Sequence, residues 1–174
     1  MQARTAPAPF VCRWLPQVPD GGSVLDVAAG GGRHAALFAA HGHPVTAVDR
    51  DTAALRALAD RGLEIVEADL ENGPWPLPGR TFAAVVVVNY LWRPLLPVLV
   101  ASVAPGGLLL YETFAVGHER FGRPRNPDFL LRDGELLQVA DPGLEVLEYA
   151  HGADGDPPTA MRQRLCARRP LTGS

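Results

Sequence analysis

Three acids stand where chemistry on a nucleotide-like ligand would need them: Asp26, Asp49 and Asp69 each close a short apolar run. The first opens Asp26-Val27-Ala28-Ala29-Gly30-Gly31-Gly32-Arg33-His34-Ala35, in which an apolar segment passes through a glycine loop directly into a helical pattern. A loop without side chains lets backbone N–H groups approach a ligand, and the helix N-terminus behind it offers more of them. At the carboxyl edge of a parallel sheet, such a turn is a nucleotide site. Gly30, Gly32 and Ala35 fit the dinucleotide spacing G-x-G-x-x-A, and Asp49 lies about 20 residues on, where a ribose-binding acid is expected. This keeps an NAD(P)-dependent oxidoreductase among the readings.

The same residues resemble the first motif of class I S-adenosylmethionine-dependent methyltransferases, an acid followed by alternating small residues. Here these are Asp26, Ala28, Gly30 and Gly32, with Ala28 in place of the family's usual first glycine. Charge favours this second reading. An acid opening the loop repels a pyrophosphate, whereas it attracts the sulfonium and ammonium of S-adenosylmethionine. The resemblance implies that Asp49 binds the ribose hydroxyls and Asp69 the adenine amino group. It also implies that Asp26, Ala28, Ala29, Gly30, Gly32, Arg33 and Asn89 line the cofactor site, with Arg50 and Leu70 against the adenine. Each has a plainer alternative: Asp49 and Asp69 as turn acids, Asp26 as a brace for its own loop, Arg33 as a solvated helix residue.

The elements that would position these groups alternate along the chain. Strands are expected at 24–27, 45–48, 63–68, 82–88 and 108–113, and helices at 10–15, 32–40, 52–60 and 93–103. Residues 82–88 are nearly all β-branched or small, as in a central parallel strand covered on both faces. A further helix is expected at 134–140, and strand-like runs at 144–149 and 161–167 form a hairpin across a Gly/Asp/Pro turn. The sum is an α/β, single-domain Rossmann-like fold over 1–174. Its mostly parallel seven-stranded sheet would end in an antiparallel C-terminal hairpin, with helices on both faces. That hairpin, and the little chain left over for a substrate domain, weaken the dehydrogenase reading. Residues 1–8 are expected to be flexible and 115–130 to form a lid loop.

After the fifth strand, Glu112-Thr113-Phe114 and the later Gly134-Glu135-Leu136 resemble small bacterial methyltransferases related to the tellurite-resistance type. The lid holds Arg120, Arg123 and Arg125, whose charges suit an anionic or strongly polar acceptor. Tyr90, after the central strand, is a second acceptor-facing candidate. If the acceptor needs a general base, His118, Glu119 and Tyr90 are the candidates; a thiolate or other soft anion needs none. Asn89-Tyr90-Leu91-Trp92 lacks the paired prolines of amino-methyltransferases. The expected reaction is methyl transfer to a small molecule, with a non-catalytic cofactor-binding subunit as the alternative.

Composition narrows the rest. All 16 basic residues are arginine, so Schiff-base, pyridoxal-phosphate and P-loop lysine chemistry are excluded. A net charge of −3 gives no nucleic-acid or membrane-surface field. Cys12 and Cys166 form no C-x-x-C, and His41 and His43 flank a helix-ending glycine, so no metal site is expected. The expected setting is the cytoplasm, as a monomer or homodimer.

Overall fold

A computed structural model describes residues 6–172. Seven strands form one sheet in the order β3-β2-β1-β4-β5-β7-β6. The first five, β1 (Val24–Val27), β2 (Val45–Asp49), β3 (Glu64–Glu67), β4 (Phe82–Val88) and β5 (Val103–Phe114), run parallel. The last two, β6 (Glu145–Asp154) and β7 (Ala160–Arg168), are antiparallel, and β7 lies inside the sheet between β5 and β6. The strand order reverses between β1 and β4, and that crevice is where open α/β sheets bind ligands.

Side chains alternate across the sheet and both faces are covered. Val24, Ala84, Val86, Leu108 and Leu110 pack under α1 (Pro9–Trp14) and α2 (Arg33–Ala40), beside Phe10, Val11, Ala35 and Phe38. Leu25, Val27, Val85, Val87, Leu109 and Tyr111 face the other core, with Leu99 of α4 (Leu96–Ala101) and Leu136 of α5 (Glu135–Ala140). Double coverage explains why β4 is apolar at almost every position.

The departures from the sequence expectation have local causes. The helix expected at 52–60 is α3 (Ala53–Arg56) followed by one 3₁₀ turn, because Leu55 alone is buried on it. The helix expected at 93–103 is a 3₁₀ turn (Arg93–Leu95) and α4, ended where the Ser102 hydroxyl donates to the Val98 carbonyl at 2.7 Å. Pro105-Gly106-Gly107 form a bulge within β5, their main chain bonded to Arg169 in both directions. The hairpin strands run longer than expected, since residues 152–154 still pair with 160–162. Residues 1–5 lie outside the described part of the chain. Ala8, expected in a flexible segment, is instead buried, its N–H donating to His34 Nε2 at 3.0 Å. No helix of the described residues is long and apolar enough to cross a membrane.

Candidate active site

Asp26 ends β1 inside the core, 3% exposed, and its Oδ2 accepts the Ala35 N–H at 2.9 Å. The carboxylate thus ties the strand to the first turn of α2 and spans the glycine loop. Burial pushes its pKa up to about 7, against the Ala35 hydrogen bond and the nearby Arg33. Ala28 stands at φ +52°, in the left-handed region that favours glycine. Neighbouring bonds impose that turn: the Ala29 N–H donates to the Val48 carbonyl at 3.0 Å, and the Gly32 N–H to the Ala29 carbonyl at 2.9 Å.

The three glycines differ in what they face. A Cβ on Gly30 or Gly31 would meet no heavy atom within 4 Å and would stand in open cleft. On Gly32 (φ +77°) it would strike Leu58 Cδ1 at 2.7 Å and Leu55 Cδ2 at 2.8 Å. Gly30 and Gly31 therefore leave a cradle for a ligand, while Gly32 permits close packing of α2 on α3.

At the end of β2, Asp49 Oδ2 accepts the Gly30 N–H at 2.8 Å and Oδ1 accepts the Asp51 N–H at 2.9 Å. Asp69 accepts from the Asn72 side chain and from the Glu71 and Asn72 main-chain N–H groups, which hold it below the usual carboxylate range. Its bonds are those of a turn acid, yet it also lines the cleft.

Two clefts meet over Ala28. One, of about 530 Å³, is lined by Asp26, Ala28, Ala29, the three glycines, Arg33 and Asn89. The other, of about 400 Å³, is lined by Ala28, Asp49, Arg50, Asp69, Leu70, Glu71 and Tyr90, with Phe129. The fold thus brings together every residue that the sequence assigned to the cofactor. A larger groove of about 860 Å³ lies between α4 and α5, away from the strand ends that carry these acids.

The groups named for acid–base work are differently placed. His118 is buried, stacked on Phe114 with ring centroids 4.0 Å apart. Its Nδ1 accepts the Met161 N–H at 3.3 Å, which leaves Nε2 to donate to the Arg123 carbonyl at 3.0 Å. Both nitrogens are engaged by the main chain, so His118 organises the loop in this structure. Glu119 accepts the Gly117 N–H at 2.7 Å, and the backbone N–H groups of Glu119 and Gly117 hold it below the usual range. Tyr90 does reach the cleft, but burial first, then Glu71, Asp69 and Asp49, push its hydroxyl up to about 12. Neither Glu119 nor Tyr90 is poised to take a proton near neutrality.

Arg120, Arg123 and Arg125 are exposed and line neither cleft. The reason is local: the loop turns its His118 ring inward, and Arg120 folds back, donating to the Gly117 carbonyl at 3.3 Å and lying over Phe121.

Sequence reasoning missed a charged core beside Asn89. Asn89 has φ +58°, and its Oδ1 accepts from Arg162 Nη1 at 2.6 Å. Arg162 is 2% exposed, with Asp154 Oδ2 at 3.2 Å, Glu112 Oε1 at 3.5 Å and the Phe114 ring 4.1 Å below its guanidinium. Arg164 also meets Glu112, at 3.3 Å. The signal was available: Arg162 and Arg164 alternate along a strand opposite Phe114 and Glu112. Phe129 and its Arg93 anchor were missed too, because Phe129 reaches the cleft from a segment distant in sequence. His41 and His43 each bond a main-chain carbonyl, and no group of three His, Cys, Asp or Glu among the described residues could hold a metal.

Residues 24–107 match the family described as a methyltransferase domain. No curated protein sequence matches the chain. Among solved structures it is similar to TehB from Haemophilus influenzae, at 17% identity and a TM-score of 0.73 over 94% of this chain and 62% of that one. The chain thus spans less than two thirds of the Haemophilus protein. It is similar to an S-adenosylmethionine-dependent methyltransferase from Mesorhizobium loti, at 19% identity and TM-score 0.72 over 92% and 96% of the two chains. A third is the Burkholderia thailandensis 1,6-didemethyltoxoflavin-N1-methyltransferase, solved with that compound and S-adenosylhomocysteine. Its identity is 18% and its TM-score 0.70, over 93% of this chain and 77% of that one.

Proposed function

We propose that this chain is a class I S-adenosylmethionine-dependent methyltransferase, a reading supported by its fold and by the match of residues 24–107 to a methyltransferase domain, and that it transfers a methyl group to a small-molecule acceptor. The observation that carries the reading is the convergence of three strand-end acids on one glycine loop, with clefts on both sides of Ala28. The open cradle at Gly30 and Gly31 fits the methionine portion of S-adenosylmethionine. Asp49 keeps lone pairs beyond its two backbone bonds for ribose hydroxyls. Asp26 and Asp69 add negative charge toward a cationic ligand.

When bound, the cofactor supplies both the electrophilic methyl and its leaving group, so the protein has only to align the acceptor and exclude water. Glu119 and Tyr90 are not poised to take a proton near neutral pH, and both ring nitrogens of His118 are bound to main-chain groups. This supports an acceptor that brings its own nucleophile: a thiol ionised in solution, another soft anion or an oxyanion. The net charge of −3 supports a site free of nucleic acid, and we place the protein in the cytoplasm as a monomer or homodimer.

The test is methyl transfer from labelled S-adenosylmethionine to a panel of thiols, phenols and oxyanions. Turnover on a thiol or oxyanion with a rate that follows acceptor ionisation is the expected result. Tight S-adenosylhomocysteine binding without turnover on any member would favour a regulatory binding subunit. Selective binding of NAD or NADP would replace both readings.

A further inference from the structure

One wall of the smaller cleft comes from none of the strand ends. Phe129, in the 3₁₀ turn Pro127–Phe129, lines it beside Tyr90, Asp69 and Leu70 and is 38% exposed. Its main chain is fixed on both sides. Arg93 donates from Nη1 to the Asp128 carbonyl at 2.8 Å and from Nη2 to the Leu130 carbonyl at 2.9 Å, the two carbonyls that flank the ring. The same guanidinium forks onto Glu135, Nε to Oε1 at 2.6 Å and Nη2 to Oε2 at 2.9 Å. Glu135 also accepts the Arg132 N–H at 2.7 Å. Burial would raise the Glu135 carboxyl, but Arg93 and that N–H hold it below its usual range, so the fork stays charged. A planar fork engaged on several acceptors fixes direction in a way that an ammonium cannot. On the facing side, the buried Tyr111 hydroxyl donates to the Tyr90 carbonyl at 2.9 Å. Two aromatic residues, each pinned through main-chain carbonyls, therefore converge on the cleft that holds Asp49 and Asp69.

We propose that Phe129 is the adenine-facing aromatic wall of the cofactor site, and that Arg93 and Glu135 are positioning residues that hold it there. This rests on the S-adenosylmethionine reading above. An apolar ring stacks on the purine face, while Asp69 addresses the purine edge.

Calorimetry with S-adenosylhomocysteine and with adenosine tests the proposal on the full chain. Phe129→Ala should weaken both ligands by the same factor, about tenfold, because the ring meets the part they share. Phe129→Trp should bind within about twofold of wild type, whereas Phe129→Leu, which keeps apolar volume without a π face, should resemble Phe129→Ala. Arg93→Lys keeps the charge but loses the fork and should weaken S-adenosylhomocysteine about three- to fivefold. Combined with Phe129→Ala it should cost nothing further, since it acts through that ring. Wild-type binding with undiminished Phe129→Leu affinity would overturn the aromatic wall and leave the cofactor reading intact. Additive losses from Arg93→Lys and Phe129→Ala would overturn the positioning role. A wild-type protein that binds neither ligand would overturn both readings.

Discussion

Replacing Ala28 with glycine should stabilise this protein, the reverse of what removing a half-buried side chain usually does. Ala28 sits at φ +52°, where the Cβ of an L-residue crowds its own carbonyl at a cost of roughly 1–2 kcal/mol. Glycine relieves that strain but enlarges the conformational freedom of the unfolded chain, a loss of about 0.4–1 kcal/mol. The balance is a gain of about 0.5–1 kcal/mol. For a chain of this size that is about 1–4 °C in Tm. The methyl also stands where the two clefts meet, so its removal should leave S-adenosylhomocysteine affinity equal or improved. Urea unfolding read by far-UV circular dichroism gives the midpoint, and calorimetry gives the affinity. A lower midpoint at unchanged slope would mean that the left-handed turn at Ala28 carries no strain, and the account of the loop would fail.

Asp49→Ala removes an acceptor for Gly30 and for the ribose together, and should weaken S-adenosylhomocysteine by about 1.5–3 kcal/mol in a titration. Gly32→Ala should destabilise by about 2–3 kcal/mol through the Leu55 and Leu58 contacts, visible as an early melt. Gly30→Val should lose ligand binding and, because Gly30 stands at φ +55°, should also melt earlier, with no upward shift on adding ligand in thermal melts. Two buried titrations oppose each other: Asp26, raised to about 7, favours folding at low pH and loses that contribution as pH climbs from about 4 to 7. His34, lowered to about 4 by burial and Arg33, is held neutral and loses its contribution as pH falls from about 6.5 to 4. Asp26→Asn should therefore leave a stability that rises with pH across that window, and His34→Gln one that falls, each with a slope approaching about 1.4 kcal/mol per pH unit in denaturant titrations. Arg162→Met leaves Glu112 and Asp154 with Arg164 alone and removes the donor to Asn89, and should cost about 1.5–3 kcal/mol in chemical denaturation.

What the sequence revealed is what short-range physics controls. The unbroken apolar run at 82–88 announced a strand covered on both faces, and the acids at the ends of such runs had to emerge along one sheet edge. The glycine loop was recognisable because φ > 0 and close approach select glycine locally. Ala28 broke that logic, for its conformation is set by a bond from Ala29 to Val48 on a neighbouring strand. The arginines of the 117–127 loop show a similar dependence on distant groups. Their charge was legible, but their direction depends on His118 finding Phe114 and Met161. Phe129 and Arg162 were hidden because their meaning lies in distant partners, Arg93 for one and Asn89 for the other.

The place of β7 has a consequence for synthesis. It is the last strand in chain order, yet it occupies an inner position, hydrogen-bonded to β5 on one side and β6 on the other. Until residue 160 and beyond leave the ribosome, β5 presents an open edge and β6 has no neighbour in the sheet. The glycine loop and all three acids are by then already made, but Arg162, which holds Asn89, is not. Vectorial assembly can therefore pair the parallel strands early, while the sheet closes only when its penultimate slot is filled from the C-terminal side. A stall within the hairpin would expose a long apolar strand edge, and such nascent chains should be strong clients for chaperones.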